Sequence, residues 1–88
     1  MTPEIEAIRQ KLDLMEDKLI ALLNERARYV IEIGKIKSEK GLPIMDPQRE
    51  EAILNRIAEK NKGPVSNKFI QDIFKKIMDE SIKLESDV

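Results

Sequence analysis

The sequence predicts an all-α fold, three helices per chain in one domain over residues 1–88, with the first helix far longer than the others. Three observations lead there. Helix breakers fall at Pro3, at Gly41-Leu42-Pro43 and at Asn61-Lys62-Gly63-Pro64, and they cut the chain into three segments. Within each segment apolar residues recur at steps of three and four, the period of a helix. No stretch alternates with period two, and β-branched residues do not cluster as they do in strands.

The first helix is expected from about Pro3 to about Lys40. Thr2 is its N-cap, and Pro3 suits the first helical position, where no backbone N–H is needed. The positions Ile5, Ile8, Leu12, Met15, Leu19, Leu22, Arg26, Tyr29, Ile33 and Ile36 follow a 3-4 alternation without a slip, a heptad seam. Ile20, Leu23, Ala27, Val30 and Ile31 widen the apolar face. At 1.5 Å per residue such a helix is about 55 Å long. A compact domain of this size is only roughly 26 Å across. The remaining residues cannot cover that face, so the pattern predicts a partner chain. Gly34 sits within the helix at a cost of about 1 kcal/mol relative to Ala, which a close helix crossing would compensate.

The second helix starts at Asp46-Pro47, an N-cap followed by a first-turn proline. Ile53, Leu54, Ile57 and Ala58 form its stripe, and Gly63-Pro64 is expected to stop it. The third starts with Ser66 or Asn67 as cap. Phe69, Ile70, Ile73, Phe74, Ile77, Met78 and Ile82 make its apolar face, and Ser86 to Val88 should fray.

Composition narrows the function. Cysteine and histidine are both absent, which removes disulfides, thiolate metal sites, the usual general base and the commonest metal ligand. Sixteen basic and seventeen acidic residues leave a net charge of −1, without the basic excess of a nucleic-acid binder. No apolar run approaches the roughly 20 residues that span a bilayer. The start, Met-Thr-Pro-Glu, has no basic stretch leading into an apolar one, so no signal peptide and a cytoplasmic location are expected. A chain this short buries only about 60–65% of its unfolded surface, a second reason to expect an oligomer.

Charge appears where the helical pattern calls for core. Arg26 occupies a seam position, and Lys37, three turns later, returns to nearly the same face. Arg49 and Glu50 head the stripe of the second helix. Ser81 and Glu85 continue the inner face of the third. Burying an unpaired cation costs several kcal/mol. Three inward cations, against two carboxylates and a hydroxyl, therefore suggest a pocket that takes an anion. Buried ion pairs, Arg26 with Glu50 or Lys37 with Glu85, would account for the same pattern, and Lys37 could snorkel from the helix end. Arg9 lies about 25 Å along the first helix from Arg26 and about 100° around it. It either sits on a solvated flank or, in a symmetric antiparallel dimer, reaches the partner.

The runs Ile8-Arg9-x-x-Leu12-Asp13, Leu22-Leu23-x-Glu25-Arg26, Glu32-Ile33-Gly34-x-x-Lys37 and Pro43-Ile44-x-Asp46-Pro47-x-Arg49-Glu50, in this order, resemble the all-helical class of chorismate mutase. The likeness continues to Ser81 and Glu85. It implies an intertwined six-helix homodimer with two active sites that converts chorismate to prephenate. By position, Arg26 and Arg49 resemble the family's ligands or supports for the substrate carboxylates. Arg9 resembles the arginine delivered from the partner chain, and Lys37 the cation at the ether oxygen and a carboxylate. Asp46 and Glu50 resemble acceptors for the substrate hydroxyl, and Ser81 a minor polar contact. Glu85 falls where many members carry glutamine and others glutamate, so acid pH is expected to favour activity. The reaction is a unimolecular rearrangement of a dianion that requires no cofactor or metal, which suits a chain without Cys or His. Two other readings follow. Similar domains are fused to the synthase that opens the shikimate pathway, where they bind chorismate or prephenate as regulators. A helical dimerisation module without a small-molecule site would share the seam but not the inward charges.

Overall fold

The computed structural model describes residues 1–87, and these form three helices with no strand. Helix α1 spans Pro3–Lys40. Thr2 Oγ1 accepts the Ile5 N–H at 3.2 Å, Glu4 and Glu6 lie in the positive first turn, and Lys37 and Lys40 lie in the negative last one. Gly41 ends the helix in the left-handed region at φ 66°, where a Cβ would be strained, and the Leu42 N–H closes back on the Lys37 carbonyl at 2.9 Å.

Helix α2 spans Pro47–Lys60, capped by Asp46, whose Oδ1 accepts the Arg49 N–H at 3.1 Å. It ends earlier than Gly63-Pro64. Asn61 leaves the helix with extended dihedrals, and its side chain holds the connection together. Its Nδ2 donates to the Val65 carbonyl at 2.9 Å and to Asn67 Oδ1 at 2.8 Å, while its Oδ1 accepts the Gly63 N–H at 3.2 Å. Local amide bonding by asparagine thus competes with the helix before the glycine is reached. Helix α3 spans Asn67–Ser86, with Ser66 as the cap. Ser86 remains helical, its Oγ donating to the Ile82 carbonyl at 2.9 Å, so fraying does not begin there; Val88 lies outside the described residues.

Helix α3 packs against both α1 and α2, which do not pack on each other. The core is small: Ile53, Ile57 and Met78, backed by Leu54 and Phe74, with Val30 and Gly34 of α1 buried as well. Gln71 Nε2 ties α3 to the Leu54 carbonyl at 3.2 Å. The chain measures 57 × 25 × 15 Å with a radius of gyration of 16.6 Å, against about 12 Å for a compact chain of this length. The excess is the N-terminal half of α1, which projects uncovered. Along it Leu12, Met15, Leu19 and Leu22 are 51–66% exposed. Among the described residues no helix is long and apolar enough to cross a membrane.

Candidate active site

A cavity of about 310 Å³ occupies the gap between α1 and α2 and is floored by α3. Helix α1 contributes Arg26, Val30, Ile33 and Lys37, successive positions of one helical face. The α1–α2 connection contributes Ile44 and Asp46, and α2 contributes Arg49, Glu50 and Ile53. Helix α3 contributes Met78, Ser81, Ile82 and Glu85. Of the eight residues singled out in the sequence, seven therefore meet around one cavity. Arg9 does not: it is exposed on the projecting half of α1, with Nη1 3.0 Å from Glu6 Oε1.

The polar contacts divide the lining into two parts. On one side, Lys37 Nζ donates to the Ile44 carbonyl at 2.8 Å and stands 2.7 Å from Glu85 Oε1. Its side chain is 18% exposed, so it turns inward and does not snorkel. The Glu85 side chain is 10% exposed, and its buried Oε1 is near the ammonium charge but aligned with no hydrogen-bond donor. On the other side, Arg26 Nη1 donates to Ser81 Oγ at 2.6 Å, and Ser81 Oγ donates to the Ile77 carbonyl at 2.7 Å. An Arg26–Glu50 pair does not form. No carboxylate among the described residues pairs with Arg26 or Arg49. Burial, and then the like charge of Arg49, hold the Arg26 guanidinium below the usual arginine value.

Three cations and three carboxylates line the cavity, so its formal charge is balanced and it is not cation-rich by count. Pairing makes the difference. Lys37 and Glu85 neutralise each other, and Asp46 is engaged as a helix cap. Two arginines are left with donors and no counter-charge, an arrangement that suits carboxylates of a ligand. The Ile44 carbonyl is not legible in the sequence, because a backbone acceptor leaves no mark there.

Fold and cavity together define an all-helical protein with a cavity between its helices that two arginines without a carboxylate partner line, and no metal-ligating cluster or cysteine lies among the described residues. Comparison with known proteins agrees. The family described as Chorismate mutase type II matches residues 8–86, and the chain belongs to that family. A bifunctional chorismate mutase/prephenate dehydratase of Aquifex aeolicus is 34% identical over 89 residues, covering 97% of this chain and 25% of that protein. The T-protein of Enterobacter agglomerans is 36% identical, covering 99% of this chain and 24% of its own length. The chain thus spans about a quarter of these curated relatives. Among solved structures, form II of chorismate mutase from Thermus thermophilus superposes with a TM-score of 0.93 at 40% identity, covering 94% of each chain.

Proposed function

We propose that the chain, as a single domain over residues 1–88, catalyses the rearrangement of chorismate to prephenate. The observation that carries this is the pair of arginines without a carboxylate partner among the described residues, Arg26 and Arg49, lining with the Lys37–Glu85 pair a cavity large enough for a small ligand. Arg26 and Arg49 would hold the carboxylates of the dianion and so keep it in the folded conformer in which the reacting ends meet. As the ether bond breaks, its oxygen gains negative charge. Lys37 has three N–H donors, one committed to Ile44 and one beside Glu85, which leaves a fixed donor for that oxygen. Asp46 and Glu50 are suited to accept from the substrate hydroxyl. The test is loss of chorismate absorbance on adding the purified chain. Binding of chorismate without turnover would support the regulatory reading instead, and no binding the dimerisation module.

The proposal includes a homodimer. The exposed seam needs cover, and a two-fold axis near Leu19 would set antiparallel copies so that Arg9 lies level with the stretch of the partner's α1 that lines its cavity. Each cavity, already lined by Arg26, Lys37 and Arg49, then gains a fourth cation, without a cofactor or another partner. Sedimentation should give twice the 10.2 kDa chain mass. Leu19→Asp, which sets two carboxylates against each other at the axis, should give a largely unfolded chain by circular dichroism. A folded, active monomer would rule the dimer out.

Glu85 provides a second check. Lys37 from α1 stands beside it, and Arg49 and Glu50 from α2 line the same cavity. A carboxyl donates a hydrogen bond to the ether oxygen only when protonated, whereas an amide does so at any pH. Turnover by the parent should therefore rise as pH falls, and Glu85→Gln should flatten the profile. Parallel profiles for the two proteins would remove Glu85 from this role.

A further inference from the structure

Ser81 is the polar residue buried in the core, at the contact of α3 with α1. A serine hydroxyl has one proton to donate and two lone pairs to accept with. Both of its neighbours leave it no choice of direction. The Ile77 carbonyl, 2.7 Å away, can only accept, and the Arg26 guanidinium, 2.6 Å away, can only donate. The proton therefore points to Ile77 and a lone pair to Arg26 Nη1. The two bonds run in one direction, from guanidinium to hydroxyl to helix carbonyl, and each strengthens the other. We propose that Ser81 is a positioning residue: with its proton on the Ile77 carbonyl, its hydroxyl accepts from Arg26 and holds that guanidinium in place.

Two comparisons within the molecule support this. Ser86 makes the same bond to the carbonyl four residues back, at 2.9 Å, but is exposed and holds no cation. A helical serine thus gains that bond without being buried, and burial at Ser81 goes with Arg26. Arg26, for its part, has no carboxylate partner among the described residues and is repelled by Arg49. Without the hydroxyl, nothing in this contact set would keep the guanidinium facing the cavity. Its remaining N–H groups are the ones left for a ligand.

The geometric part is tested without any ligand, by ¹⁵N spectra of the arginine side chains. The chain has five arginines, and Arg26→Lys identifies the Arg26 signals by their loss. A held guanidinium gives separate, slowly exchanging Nη signals. Ser81→Ala should merge them, Ser81→Thr should keep them separate because its hydroxyl makes the same back-bond in a helix, and Ser86→Ala should leave them as in the parent. Merged signals in the parent, or separate ones in Ser81→Ala, would overturn the proposal. The consequence for binding rests on the proposed dianion site, and it is read by calorimetry with a bicyclic dicarboxylate mimic of the transition state, since the chain has no tryptophan to report binding. Ser81→Ala should weaken the mimic about tenfold in the parent, the effect of losing one charged hydrogen bond, and less than about twofold in an Arg26→Ala background. An equal tenfold loss in both backgrounds would make Ser81 a direct donor and refute the positioning role. A mimic that fails to bind the parent at all would count against the proposed function and leave the spectroscopic result standing.

Discussion

Co-expressed Arg9→Ala and Arg26→Ala chains should regain chorismate turnover that neither variant has alone. Each homodimer lacks one of the two arginines at both of its sites. Losing one partner of a desolvated charge contact costs about 2–5 kcal/mol, so each should be at least about thirtyfold slower than the parent. In the mixed dimer one site combines the intact Arg26 of one protomer with the intact Arg9 of the other, while the second site lacks both. Random pairing makes half of the dimers mixed, and each has one working site, so the preparation should recover roughly a quarter of the parent's activity. The prediction comes from the contrast between Arg26, which lines the cavity, and Arg9, which lies on the projecting end of the same helix and, among the described residues, pairs with Glu6. If the mixture is no more active than its parts, Arg9 serves its own chain or none.

Lys37→Ala should lower turnover about a thousandfold, the upper end of what removing one preorganised donor costs. Its effect on stability should differ from that of Arg49→Ala. Arg49 is exposed and pairs with no carboxylate among the described residues, so its removal should leave the fold intact or slightly more stable. Lys37 is the counter-charge of Glu85, and it also anchors the α1–α2 connection through the Ile44 carbonyl. Without it a carboxylate remains in a largely buried position, which should cost about 1–3 kcal/mol. Lys37→Ala combined with Glu85→Gln should recover most of that stability and none of the turnover. Urea denaturation beside steady-state rates separates the two effects. Turnover that falls only in step with the unfolded fraction would assign Lys37 to structure alone.

Much of this is legible in the sequence for a simple reason: helices repeat, and a charge that interrupts an apolar repeat is conspicuous. Thr2-Pro3, Asp46-Pro47 and Ser66 mark the three helix starts through side-chain bonds to nearby N–H groups, so they depend on nothing distant. The end of α2 departs from the expected place because Asn61 acts through bonds to Val65 and Asn67, partners defined only once the chain has turned. Within the site, Arg26, Lys37, Arg49, Glu50, Ser81 and Glu85 stand out by position, but their pairing does not. Which cation meets Glu85 depends on how α1 and α3 cross, and the choice of Ser81 over Glu50 as the partner of Arg26 depends on the distance between α1 and α2. Neither quantity is written in a local pattern.

That α1 and α2 touch only α3 has a consequence for how such a site changes over time. Each wall of the cleft is carried by a separate lever, and the two levers share one fulcrum. Exchanging a side chain at the fulcrum, such as Met78, alters the width of the opening and leaves every charged group in place. Exchanging Arg49, which pairs with no carboxylate among the described residues, alters what is attracted and leaves the width as it was. Size tolerance and charge preference are thereby held by different residues, and mutation can adjust one without forfeiting the other.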